Sequence, residues 1–259
     1  MNTLTQHGLS LVELMVALVI GALLILAGTQ ILVDNKHTYL FQRAHADNQG
    51  NGRFTLQWLD QQLARAGYKR RPDQTLGAAF PALSEAQSGV SGCAFDSGQV
   101  VKSVNPSTLC IRYQPSDKQD VDCLGNGRPA NASALTRPYA EPVEAFIEKL
   151  AISTSQQLIC TSKDGAATLV EGIADLRFDY GISPADSPVI THYSSTPNSS
   201  GTIRSVRYTA LLATPVAPTT AGQTSRAWNY WNARATQKPS ANRLYQVIKG
   251  TTTLRNLTP

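Results

Sequence analysis

The chain has 259 residues and a formal net charge of +5, with a sequence isoelectric point near 9.1. Only 16% of the residues are charged and the basic ones are scattered, which argues against the coherent basic stripe that sequence-independent nucleic-acid binding needs. The length allows one domain plus a stalk. In chain order, the first feature is Gly8 followed by Leu9, Ser10, Leu11, Val12 and Glu13, with Glu13 the sole charged residue between Met1 and Asp34. A carboxylate in an apolar run costs about 2.5 kcal/mol or more at a bilayer centre, so it needs a partner. A cut after Gly8 would supply one, because the new amine at Leu9 of an adjoining copy can pair with Glu13, then the fifth residue of the mature chain.

From Leu14 to Val33 there is no charge, and about 20 apolar residues suffice for a membrane-spanning helix. Gly21, Ala22, Ala27 and Gly28 provide small faces for close helix approach. A plain single-span anchor or an uncleaved signal is the bland alternative. A conventional secretory signal has a basic start, a short apolar core and a cut site after that core, an order not followed here. Residues 1–8 carry no Lys or Arg, so the motif rather than the positive-inside rule gives the orientation.

Beyond Val33, Asp34, Asn35 and Lys36 mark the membrane exit, and Leu40, Phe41, Ala44, Phe54, Trp58, Leu59, Leu63 and Ala66 recur near helical spacing. The helix is therefore expected to continue with an apolar face against a globular domain, to be capped near Gly67, and to go no further than Pro72. Gly50 and Gly52 each cost about 1 kcal/mol against Ala in a helix, so a kink or a melted turn is expected around 48–52. Lys69, Arg70 and Arg71 read as a solvated helix end. Strands are expected over 109–114, 145–153, 157–162, 169–180 and 203–213, with turns at Ser155–Gln156 and Asp164–Gly165. A long helix followed by an antiparallel meander is an α+β arrangement. The loops 183–201 and 214–240 are long and polar, and the second carries Trp228, Tyr230 and Trp231. Those rings either anchor a partner or fold back on the sheet.

No catalytic constellation emerges. His7, His37, His45 and His192 lack paired metal spacing, and neither a nucleophile elbow nor a phosphate-cradling glycine loop is present. Asp117, Asp120 and Asp122 could supply oxygen ligands to calcium but read first as a solvated turn. No enzyme activity, cofactor or metal is expected. Cys93, Cys110, Cys123 and Cys160 all follow the apolar span, and an even count in an exported domain reads as two disulfides with three possible connectivities.

The combination of Gly8, Leu9 and Glu13 ahead of an apolar helix resembles the class III signal of type IV pilins and of the pseudopilins of type II secretion. Asn51-Gly52-Arg53, Ala66-Gly67-Tyr68, Arg112-Tyr113-Gln114, Asp122-Cys123-Leu124-Gly125, Leu158-Ile159-Cys160, Val170-Glu171-Gly172-Ile173, Tyr180-Gly181 and Leu254-Arg255-Asn256 resemble, in that order, the PilW family of minor pilins. Leu9 stands where Phe is commonest, and Lys69-Arg70-Arg71-Pro72 where the family often has Gly and Cys. The resemblance implies a pilin fold divided into a leader (1–8) removed by prepilin peptidase, a membrane and filament-core helix (9–33), its amphipathic half (34–68) and a sheet domain (69–259). It further implies N-methylation of Leu9, an assembly role for Glu13, and pairing of Cys123 with Cys160, leaving Cys93 with Cys110. The implied location is the inner membrane with the C-terminal domain in the periplasm, then the cell surface. The implied partners are other minor pilins, the major pilin and a PilY-type tip adhesin, with no direct contact to nucleic acid. A J-type pseudopilin is the near alternative. A membrane-tethered periplasmic receptor is the alternative of another class, and it requires neither cleavage after Gly8 nor a role for Glu13 in filaments.

Overall fold

The computed structural model describes residues 10–127, 139, 144–184, 187–197, 201–214, 226–232 and 243–257. Gly8 and Leu9 lie outside the described residues, as does most of the 214–240 loop. The chain opens with a helix, α1 (Leu11–Arg65), of 55 residues. At 1.5 Å per residue it is about 80 Å long. It is unbroken through Gly50 and Gly52, where a kink was expected. The reason is tertiary: Gly52 lies against the sheet, where an added Cβ would stand 3.3 Å from Ile248 and 3.6 Å from Leu212. Packing at that approach offsets the low helix propensity of glycine. The helix ends at Arg65, and Gly67 turns the chain with φ at 76°.

Two short helices follow, α2 (Leu76–Ala79) and α3 (Glu85–Ser88). Then come β1 (Val101–Asn105), β2 (Thr108–Tyr113), β3 (Phe146–Ile152), β4 (Gln157–Ser162) and β5 (Gly165–Glu171), which form an antiparallel meander in sequence order. The turn between β3 and β4 has Gln156 at φ 62°. The expected strand 169–180 is instead two strands in two sheets, β5 and β6 (Ile173–Ser183), parted at Gly172. Gly172 has φ of 76°, and a Cβ there would stand 2.9 Å from the carbonyl oxygen of Ala213, so only glycine fits the crossing. The second sheet has the order β7-β6-β8-β9, with β7 (His192–Ser194), β8 (Thr202–Ala213) and β9 (Tyr245–Thr253). A short helix α4 (Arg226–Trp231) precedes β9, and a 3₁₀ turn (Arg255–Leu257) follows it.

One core is shared by the end of α1 and both sheets. Leu59 and Leu63 of α1 meet Leu109, Ile111 and Tyr113 of β2, Phe146 and Leu150 of β3, Phe178 and Tyr180 of β6, and Val206, Tyr208 and Leu212 of β8. From Leu176 to Tyr180 of β6 and from Val206 to Leu212 of β8 the even-numbered residues belong to this core, as the two-residue period of a strand requires. A satellite cluster of Val90, Cys93, Phe95, Cys110 and Ile147 covers the other face of β2 and β3, so β2 is buried throughout. The disulfide Cys93–Cys110 pins that covering segment down, and Cys123–Cys160 ties the 114–127 loop to β4.

Candidate functional site

The first candidate is the bare half of α1. No residue of the helix before Asn48 is buried, and Leu11, Val12, Leu14, Met15 and Val16 are each more than half exposed. Glu13 stands in the first turn, also exposed, where a carboxylate complements the helix N-terminus. Among the described residues none of the domain covers this apolar rod, which is long and apolar enough to cross a membrane.

The lower half of α1 docks only in part on the face expected: Leu59, Leu63 and Ala66 are fully buried and Trp58 packs against the core. Its buried residues are Asn48, Gly52, Thr55, Leu59, Gln62 and Leu63. Leu40, Phe41 and Phe54, expected to pack on the domain, are 39%, 44% and 51% exposed. The docking face is small and polar because the helix is fastened by hydrogen bonds as well as by apolar contact. Asn48 Nδ2 donates to the carbonyl of Leu244 at 3.2 Å, and Asn51 Nδ2 to that of Glu171 at 3.2 Å. Tyr208 Oη donates to the Leu56 carbonyl at 3.1 Å, Thr252 Oγ1 to Asp60 at 2.6 Å, and Asn256 Nδ2 to Ala64 at 3.0 Å.

At the end of α1 an ionic network joins helix, sheet and loop. Arg65 pairs with Asp120, donates to the Val121 carbonyl at 2.9 Å, and lies 4.2 Å from the centre of the Tyr113 ring. Tyr113 Oη donates to Glu148 Oε1 at 2.7 Å, and the backbone N–H of Cys123 donates to the same oxygen at 2.8 Å. Burial pushes the Glu148 carboxyl upward from its ordinary range, against the opposing pull of Tyr113 and Arg65. Burial also pushes the Tyr113 phenol far up, with the Glu148 charge adding to it. Glu148 and the sulfurs of Cys123 and Cys160 lie within 4.8 Å of one another, but the sulfurs are bonded to each other and offer no thiolate to a metal.

The acidic trio does not gather into one ligand set. Asp117 accepts from the backbone N–H of Gln119 at 2.7 Å, Asp120 faces Arg65 and Ser116, and Asp122 accepts from Leu124 and Asn126 at 2.9 and 2.8 Å. The basic run is a correction to the sequence reading. Arg70 is 6% exposed and donates to the carbonyls of Pro115 and Ser116 at 3.3 and 2.6 Å, so it is a bolt between the helix end and a loop. Arg112, which sequence reasoning passed over, plays the same part more strongly. It is 2% exposed and donates to the carbonyls of Gln99, Pro81, Phe80 and Asp96 at 2.5 to 3.1 Å, with its pKa lowered by burial to about 10.

The aromatic segment folds back on the second sheet. Trp231 is 7% exposed and donates from Nε1 to Asp175 at 2.8 Å, and Trp228 packs against Tyr245 with centroids 4.9 Å apart and the rings tilted by 49°. Tyr230 stays 64% exposed.

Comparison with known proteins places this arrangement. Residues 4–29 match the prokaryotic N-terminal methylation motif, and residues 142–256 match the type IV pilus-assembly protein W family. A solved structure of a type IV-like pilin from Thermus thermophilus aligns over 83% of this chain and 97% of its own, with 10% identity and a TM-score of 0.41. No curated protein matches the chain. The methylation motif falls on the helix that the domain leaves bare, and the match to the type IV pilus-assembly protein W family covers β3 to β9, so the two similarities lie on the two parts of the chain that α1 joins.

Proposed function

We propose that the protein is an assembly subunit that helps start a type IV pilus and sits in a priming or tip complex. Prepilin peptidase cuts between Gly8 and Leu9 and methylates the Leu9 amine. The apolar half of α1 waits in the inner membrane with the sheet domain in the periplasm. On assembly, Glu13 attracts the Leu9 amine of an adjoining subunit while the helices bundle, so that neither charge stays alone in lipid. The domain then stands outward at the cell surface beside other minor pilins and the major pilin, and carries a PilY-type adhesin. One observation carries the reading: a methylation motif heads an apolar helix that is continuous with the domain yet uncovered by it.

The test is the N-terminal mass of the protein from sheared filaments and, separately, from inner membranes. An N-methylated Leu9 in the sheared fraction is expected. Processing seen only in membranes would move the assignment to a pseudopilin, and an intact Met1 end would return it to a tethered receptor. Gly8→Val is expected to block maturation, whereas Glu13→Ala is expected to mature normally and enter filaments poorly. Unchanged incorporation of the Glu13 variant would remove the account of its charge.

A further inference from the structure

The outward face of the second sheet holds a cleft of about 700 Å³, on the side opposite the core to which α1 is fastened. Its volume is within the range of ligand sites. Three cations converge there. Register pairs Arg177 with Thr209 and Thr209 with Lys249, so Arg177 and Lys249 stand two strands apart, about 10 Å between backbones. Arg207 rises from the same face of β8 two residues before Thr209. Each cation is held over a ring: Arg177 at 4.2 Å from the Trp231 centroid, Arg207 at 4.0 Å from Tyr193 and Lys249 at 4.9 Å from Tyr230. Lys249 Nζ also donates to Tyr230 Oη at 2.9 Å.

We propose that this cleft binds an acidic oligosaccharide, and the proposal stands whether or not the chain enters a filament. Arg177 and Arg207 are paired with Asp175 and Asp179, so the three cations leave the cleft one net positive charge, carried by Lys249, and the site favours an anion of low charge density. Each guanidinium lies over a ring and turns its Nε toward an aspartate, which leaves its terminal N–H groups for a ligand carboxylate. Their side chains are 51% and 42% exposed, open to a ligand. Around them stand neutral and acidic hydroxyl partners, Thr209, Ser195, Asn232 and Asp179, and the exposed ring of Tyr230 offers a platform for a sugar face. Nucleic acid suits the cleft less well. Asp175 and Asp179 stand 3.4 and 3.5 Å from Arg177 and Arg207, and would face a continuous phosphate backbone that needs several cations at once. A sugar chain with a carboxylate only at intervals meets a cation and then a hydroxyl partner in turn.

The experiment uses the full chain in detergent, titrated with trigalacturonate and with a hyaluronan oligosaccharide, followed by calorimetry and by tryptophan fluorescence, to which Trp231 of the cleft contributes. Maltotriose and an oligothymidylate serve as comparisons. At least one acidic sugar should bind about tenfold or more tighter than maltotriose, and the pair Arg177→Gln and Lys249→Gln should weaken it about tenfold or more. Tyr230→Ala, which alters an exposed side chain, should weaken it too without changing the melting temperature. Binding of neither acidic sugar, equal binding of maltotriose, tighter binding of the oligothymidylate, or indifference to all three substitutions would each overturn the proposal.

Discussion

Glu148 shows how a single residue couples the helix end to the sheet. Its carboxyl is fully buried in β3, takes hydrogen bonds from Tyr113 and Cys123, and has Arg65 and Asp122 in its electrostatic surroundings. Because burial raises its folded-state pKa, its contribution to stability is full below the ordinary carboxylate range and is lost as pH rises through the raised value. Glu148→Gln keeps an acceptor oxygen for Tyr113 and Cys123 and removes the titration. The melting temperature of the variant is therefore expected to gain on that of the natural protein as pH rises from about 4 to 8. A difference that stays constant across that range would show that the Glu148 charge plays no part. None of this could be read from the sequence, where Glu148 is one acid in an alternating strand; its environment is made by β2, a loop and a helix end brought from far along the chain.

At the scale of elements, α1 separates what sequence makes legible from what it hides. Its existence, span and end near Gly67 follow from local signals: charge-free residues, apolar spacing and a terminal glycine. Its docking face follows only in part: apolar spacing marks Leu59, Leu63 and Ala66, but it cannot see Asn48, Gly52, Thr55 and Gln62, which are buried beside them. Strands β2 to β4 and β8 carry runs of Ile, Leu, Val and Tyr and are legible for the same local reason. β9 is not, since Lys249 and Gly250 interrupt its strand signal while cross-strand pairing with β8 builds it. Gly50 and Gly52 give the sharpest contrast. A Cβ at Gly50 would meet nothing within 4 Å, so Gly50→Ala should stabilise the domain by about 1 kcal/mol through helix propensity. Gly52→Leu should destabilise it by about 1 to 3 kcal/mol, since its side chain must displace Ile248 and Leu212 or lift the helix. Thermal unfolding of the two variants in detergent distinguishes them, and a loss at Gly50 equal to that at Gly52 would contradict the docking geometry.

The whole molecule is two objects sharing one helix, and the sequence discloses them unequally. The apolar rod announces itself in the sequence in one contiguous stretch up to Val33, because the processing and membrane insertion proposed for it would read local chemistry. The cationic cleft is invisible there, because Arg177, Arg207 and Lys249 are scattered over β6, β8 and β9 and meet only through strand register. The two objects should also be separable. Among the described residues, burial of α1 begins at Asn48 and its fastenings run on to Asp60 and Ala64, so the described part of the domain takes no buried contact from the first half of the helix. Deleting residues 1–33 is expected to give a water-soluble chain with both disulfides and with a melting temperature close to that of the full protein, since no buried contact is lost. Deleting residues 1–58 strips Asn48, Gly52 and Thr55 from the sheet, removes the carbonyl that Tyr208 donates to, and uncovers Ile248 and Leu212. The loss of that buried surface and those hydrogen bonds should cost several kcal/mol, at about 1 kcal/mol per hydrogen bond and about 25 cal/mol per Å² of apolar surface. Equal melting of the two truncations would mean that the helix is carried by the domain without supporting it, and strong destabilisation by the shorter deletion would mean that the rod contributes to the fold.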